Sequence, residues 1–440
     1  MISFVETDRS QQVGKFWIAT DPGDKRQGTL GLTRRGDSQL IVSPEFYSGF
    51  VRTTAVAPDG STMGTIESAK DRGPQTLHGH LTLSRPGESA PVSILEARST
   101  NWTGGDQTFR PIWSLVGGHI EPQHPFRGVR LRIPRYGPRP QDSVRLENEG
   151  TIRIDEEGGW IEVVDLPPRN YREISRTIIR PICTLLVLAT GVRMRPSEIE
   201  LSPEPETWWP VYTGSLSEDN PAVGNALIPP HDISVAVLAA WLDRVPVLGP
   251  LPAGVASLLE VELAIETQVL MMTTLAEGIH RALRPEARRF ELERGKTIRE
   301  VATEAVRKID PEAAGTVQSL LKYVDEMGYG ARLKELASRA EELVPGITGN
   351  PRLWKKLVYE TRNKFAHQHS VEWMEEAGVD RVLTVAFSLS WVLRLLLLDQ
   401  AGFVPGLIAD RFRNSQSYGF FLTDAAEWRP DIYSSASDDA

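Results

Sequence analysis

Near its C-terminal end the chain runs Arg362-Asn363-Lys364-Phe365-Ala366-His367, putting a permanent cation, an amide and an imidazole within six residues. That inventory can grip a phosphate and move a proton beside it. The guanidinium fork suits two phosphate oxygens, and an imidazole that is neutral near pH 7 suits general-base work. The chemistry this suggests is metal-independent cleavage of an RNA phosphodiester. Arg362, His367 and Asn363 are the candidate catalytic residues, with Lys364 and Tyr359 as neighbours able to touch RNA.

A bare arginine followed by histidine after a few residues is a weak signal, since chance alone gives roughly two such pairs in a chain of this make-up. Three occur: Arg72 with His78, Arg362 with His367, and Arg362 with His369. Arg72 lies in a Gly/Pro turn, so only the Arg362 pairs carry weight. Periodicity predicts a helix over 351–378. On it Asn363 and His367, four apart, share a face that Tyr359 continues. Arg362 and His367 are five apart, about 140° around the axis, so one straight helix does not aim both at one phosphate. Two copies meeting across a symmetric dimer do, and the small Ala366 permits close approach. His369 is the rival imidazole and points to a different face from Asn363. From residue chemistry alone, such a cluster is more often a solvated or interface face than a site.

The elements that must position this cluster follow from the rest of the chain. At 440 residues, two or three domains are expected. Apolar content of 40% with 24% charged residues is globular rather than disordered. The single cysteine, Cys183, allows no intrachain disulfide and no cysteine metal cluster, which fits a reducing, cytoplasmic setting. The N-terminus has neither the basic start nor the apolar core of a secretory signal. The apolar run 382–398 is short and broken by Arg394, so it reads as a core helix and no membrane is expected. Net charge is −9, which argues against a generally basic nucleic-acid binder and makes any RNA contact local.

The fold class expected is α+β. From about 16 to 167, short alternating or β-branched runs punctuated by Gly and Pro predict an antiparallel sandwich or barrel-like domain. A helix is predicted over 170–189, kinked by Pro181 and closed by Gly191, with strands returning at 198–201 and 208–212. A linker is placed at 215–230. Helices are then predicted over 233–242, 254–283, 297–308, 316–327, 331–343, 351–378 and 379–401. The domains are therefore 1–225, β-rich and sandwich-like, and 226–440, an all-α bundle.

Other clusters bear on function. Arg127, Arg130, Arg132, Arg135 and Arg139 stand within thirteen residues with no acid among them, and alternation puts Arg130 and Arg132 on one strand face. They read equally as a phosphate-binding patch or a solvated face. The stretch 281–299 is Arg-rich but mixed with Glu286, Glu291 and Glu293, as a solvated surface bordering an RNA path would be. Glu277 and His280 read either as a pair reaching toward the motif helix or, slightly favoured, as a plain intrahelical arrangement with Arg281. His78 and His80 share a strand face, but without a clear third ligand they are structural sooner than zinc-binding. No phosphate-binding loop, nucleophile elbow or zincin motif occurs, and no cofactor is expected.

Arg362-Asn363 followed by His367, on the penultimate long helix of a helical C-terminal half, resembles the signature of HEPN domains. The segment 266–283, containing Leu275-Ala276-Glu277-Gly278-Ile279-His280-Arg281, is similar to the first long helix of HEPN domains in ApeA-type anti-phage proteins. The β-rich half resembles that family's N-terminal domain in general layout. The resemblance implies a homodimeric, metal-independent RNase that cuts host RNA, with tRNA the expected substrate, when a phage-derived trigger is sensed. It implies that the β-rich half senses or restrains. The competing reading is a non-catalytic dimeric protein whose β domain recognises a protein or carbohydrate ligand. His367 separates the two, because only the RNase needs its imidazole.

Overall fold

The computed structural model describes residues 10–33, 38–46, 50–56, 62–69, 73–83, 88–103, 105–134, 136, 143–147, 150–155, 159–217, 224–366 and 376–434. Packing groups the chain into two units. The first is Met1–Cys183 with Arg193–Ala222 and Pro230–Ala239. The second is Thr184–Val192 with Val223–Pro229 and Ala240–Ala440. The architecture is α+β, with a β region first and a helical region after it.

In the first unit β1 (Ser10–Ile18), β2 (Arg26–Leu32) and β3 (Gln39–Ser43) form a meander. The hairpin of β4 (Phe50–Val56) and β5 (Thr62–Ala69) forms a two-stranded sheet of its own among the described residues. Then come β6 (Gln75–Thr82), the long β7 (Ser89–Thr103) and β8 (Asp106–Arg110). Because β8 pairs with both β3 and β7, the order β7-β6-β1-β2-β3-β8 closes on itself. Of the two expected β forms, the barrel is the one taken here, and closure removes its exposed edges.

Strict alternation fills its interior: Phe16, Leu30, Leu40, Val42, Leu77, Leu81, Val92, Ile94 and Phe109 are all fully buried. Gly79, between His78 and His80, is required there because a Cβ would come within 2.4 Å of the Phe16 ring.

β7 belongs to two structures at once. Its first half also pairs with β9 (Trp113–Val116), which leads the sheet outward. Residues 109–115 thus belong to two strands, with Arg110 ending one and Trp113 opening the next. Beyond β9 the antiparallel order is β15 (Trp209–Thr213), β14 (Glu198–Ser202), β10 (Gly128–Arg132), β13 (Ile161–Val164), β12 (Thr151–Ile154) and β11 (Val144–Arg145).

The expected helix over 170–189 is α1 (Tyr171–Ile174), a π turn over Ser175–Ile179, and α2 (Arg180–Thr190). Asn170 and Glu173 form a reciprocal capping box at its start. Pro181 has no N–H to give the carbonyl four residues back, and the ladder widens beside it: Arg180 N–H donates to the Ser175 carbonyl. Gly191 closes α2 at φ +78°, as a left-handed terminator should.

The helical region comprises α3 (Val235–Leu248), α4 (Leu251–Glu260), α5 (Ile265–Leu283), α6 (Leu292–Arg307), α7 (Pro311–Leu320), α8 (Tyr329–Leu343), α9 (Pro351–Ala366) and α10 (Glu376–Gln400). It continues with α11 (Pro405–Arg413), α12 (Gln416–Trp428) and α13 (Pro430–Tyr433). The predicted helix over 254–283 is two helices, because Val261 and Ala264 take extended backbone between them. Apolar residues on both sides of that break kept one helical rhythm and hid it.

Within the second unit α5, α8, α9 and α10 pack as a four-helix bundle. Val269, Met272 and Ile279 on α5, Leu333 and Ala337 on α8, Trp354 and Val358 on α9, and Val385 and Leu389 on α10 are all buried. The stretch Gly378–Gln400 is long and apolar enough to cross a membrane, but 78% of its most apolar window is buried inside the protein. It is the bundle's central core helix. Its Arg394 is buried and donates to the Leu188 and Ala189 carbonyls. Burial pulls that guanidinium down to about 9.

Candidate functional site

Helix α9 carries the motif. Asn350 caps it, its side chain accepting from the Arg352 and Leu353 N–H groups. Trp354, Leu357, Val358 and Thr361 recur at three- and four-residue spacing and are buried, so this face must lie against the bundle. The Trp354 indole donates to Ser388 Oγ at 2.9 Å, pinning α9 to α10. Rotation by the helical repeat then leaves Arg352, Lys356 and Tyr359 exposed and Arg362 and Asn363 half-buried on the other face. Lys364 is exposed at the last turn. His367 and His369 lie outside the described residues.

Arg362 is held by two other helices. Its Nη2 donates to Glu277 Oε2 of α5 at 3.1 Å. Its guanidinium carbon lies 4.1 Å from the ring centroid of Tyr329, the first residue of α8. Burial raises the Tyr329 phenol well above its ordinary value, with the Arg362 charge opposing, so the ring stays neutral under its cation. Tyr359 runs nearly parallel to Tyr329, with centroids 6.3 Å apart.

Glu277 also accepts from Arg281 at 3.1 Å, and Arg281 reaches Glu326 at 2.9 Å. Both sequence readings of Glu277 are therefore present at once. It makes the intrahelical pair and reaches the motif helix. The carboxylate thus has two cations to choose between.

His280 turns elsewhere. Buried at 1% exposure, its Nδ1 accepts from Arg332 Nη1 at 3.1 Å and its Nε2 faces Glu335 at 3.0 Å. Burial lowers its pKa first, and Arg332 and Arg284 add to that, while Glu335 opposes. An imidazole accepting at Nδ1 carries its proton on Nε2, so it is neutral. Through Arg332 and Glu335, His280 ties α5 to α8.

Arg130 and Arg132 lie in the first unit, on the outward extension of the sheet. Register sets Arg153, Glu162, Arg130 and Glu200 side by side across β12, β13, β10 and β14. Arg130 reaches Glu200 at 2.6 Å and Glu162 at 3.6 Å, and lies over the rings of both Trp160 and Trp208. Arg132 pairs with Glu198 at 3.3 Å and also lies over Trp160. The run without acids in sequence is matched by acids from neighbouring strands. Arg135 and Arg139 lie outside the described residues.

The fold brings His119, which no motif flagged, beside His78 and His80, with ring centroids 5.0 and 4.8 Å away. Trp17 meets all three. The Nε2 atoms of His78 and His119 face the carbonyls of Ile120 and Gly79. Among the described residues no group of three or more His, Cys, Asp or Glu is arranged to hold a metal.

No curated protein and no solved structure matches the chain. Residues 270–405 match the family model described as Apea-like HEPN, so the chain carries an ApeA-type HEPN domain, and Glu277, Tyr329 and Arg362 all fall inside it.

Proposed function

We propose that the HEPN domain is a metal-independent endoribonuclease, acting as a homodimer in an anti-phage response with tRNA as its substrate. The observation that carries this is Arg362: a partly exposed guanidinium oriented by Glu277 and Tyr329 on the helix that also carries Asn363, with His367 five residues on in sequence. A cation held in place before substrate arrives is what stabilising a developing charge requires.

In the reaction, His367 takes the proton of a ribose 2′-hydroxyl and the freed oxygen attacks the adjacent phosphorus. The bond from phosphorus to the 5′-oxygen breaks, and that oxygen takes up a proton. The products are a 2′,3′-cyclic phosphate and a 5′-hydroxyl. Arg362 neutralises the charge that gathers on the phosphorane oxygens, and Asn363 orients a phosphate oxygen or the imidazole. We assign sensing and restraint to residues 1–225 and the nuclease to 226–440.

The test is cleavage of total tRNA by the purified protein in excess EDTA, beside His367→Ala and Arg362→Ala, with end-group analysis. Fragments ending in 2′,3′-cyclic phosphate from the wild type alone are expected. Where the purified protein is silent, the assay is repeated with extract from infected cells. Equal cleavage by His367→Ala, or continued inertness with that extract, removes the catalytic assignment.

A further inference from the structure

The face of α9 that carries Arg362 has a feature that the proposed reaction does not use. Between Pro351 and Ala366 stand five cations, Arg352, Lys355, Lys356, Arg362 and Lys364, and one acid, Glu360, in a chain whose net charge is −9. Arg352, Lys355 or Lys356, Tyr359, and Arg362 or Asn363 recur every three or four residues and share one side of the helix. That row is about 16 Å long at the rise of an α-helix. Lys356 leans toward Glu360 at 3.9 Å, a loose pair that leaves the row strongly basic.

Tyr359 stands in the middle of this row with 43% of its surface exposed. Its ring passes over Gly330, where a Cβ would lie 3.6 Å from Cδ2, and runs nearly parallel to Tyr329. It is a supported aromatic with surface left to solvent, one turn from the phosphate-binding arginine. Exposed aromatics interleaved with cations are how proteins hold unpaired nucleic acid, with the cations tracking phosphates and the ring stacking on a base.

We infer that Tyr359 is a stacking platform for an unpaired nucleobase flanking the phosphate at Arg362, so that the bound RNA is single-stranded at this point. This rests on the RNA reading above. A base within a duplex has both faces covered by its neighbours and cannot reach the ring.

The probe is a short 2′-O-methyl oligoribonucleotide carrying one 2-aminopurine; it lacks the attacking hydroxyl and is not cleaved. Binding to the full chain is followed by anisotropy, and stacking by 2-aminopurine quenching. Wild type binds the single strand with quenching and its duplex more weakly. Tyr359→Leu weakens binding roughly tenfold and abolishes quenching, while Tyr359→Phe stays within about twofold. Thermal unfolding checks that both variants are folded. If Tyr359→Leu matches wild type while Arg362→Ala loses binding, the RNA reading stands and the stacking platform falls. If wild type binds no RNA, both fall. If Tyr359→Leu changes the sedimenting species and leaves binding and quenching intact, the ring docks a second copy of the chain, and the inference is overturned.

Discussion

Arg130 on the extended sheet and Arg362 on the HEPN helix are built from the same parts. Each guanidinium lies over an aromatic ring, each is paired with glutamate, and their side chains are almost equally exposed, at 24% and 30%. Exposure therefore does not tell them apart. Counter-charge does. Arg130 has Glu162 and Glu200 on its two sides and an indole from each of Trp160 and Trp208. Its charge is spent within the protein. Arg362 has one carboxylate among the described residues, and that carboxylate is shared with Arg281. When a phosphate arrives, Glu277 can lean to Arg281 and leave Arg362 to the ligand. Glu162 is itself shared with Arg153, but Arg130 also has Glu200; an arginine with a carboxylate of its own supports a sheet, whereas one whose carboxylate is divided can bind an anion.

This comparison is open to direct test, and the largest effect expected is on Arg362. Arg362→Ala is expected to lower RNA cleavage at least 100-fold, measured under single turnover, with little change in the urea midpoint. Arg130→Ala is expected to do the opposite, leaving cleavage within about twofold while costing about 1–2 kcal/mol in urea unfolding. Equal effects of the two substitutions on cleavage would end the distinction drawn between them.

Glu277→Gln probes the shared partner. It removes a negative charge from the proposed RNA site but loosens the grip on Arg362. KM should therefore stay level or fall while kcat drops about tenfold, and a rise in KM with unchanged kcat would mean that Glu277 contacts substrate instead. Smaller again is the effect of His280. Its folded-state pKa lies below its unfolded value, so the unfolded chain binds the proton more readily. The stability that His280 contributes is present above about pH 6.5 and is lost as the pH falls through its lower folded value. The wild type should lose more stability between pH 7.5 and 5.5 than His280→Gln does, as compared by urea midpoints at each pH. Identical pH slopes would show that the imidazole is not held neutral.

Much of this was legible in sequence because the signal is local. Alternation marked β6 and β10 since successive side chains must face opposite sides of a pleated strand. Helical periodicity marked α9, and Pro181 marked an irregular turn in its helix. Residues Arg362 and Asn363 stood out because their types and spacing lie within one turn.

What sequence could not supply was everything that depends on residues far apart in the chain. The arginine run 127–139 contains no acid, yet Glu162, Glu198 and Glu200 arrive on adjacent strands. Glu277 is 85 residues from Arg362, and only bundle packing turns it toward α9 as well as toward Arg281. His119 joins His78 and His80 through the course of the loop after β9, which no spacing predicts. Barrel closure by β8 likewise depends on two pairings that no single segment encodes. Side-chain chemistry and helical or strand period are properties of neighbours along the chain, so the sequence alone determines the motif and the elements that carry it. Charge balance belongs to neighbours in space, and so only the tertiary structure decided that Arg130 has two carboxylates beside it and Arg362 a shared one.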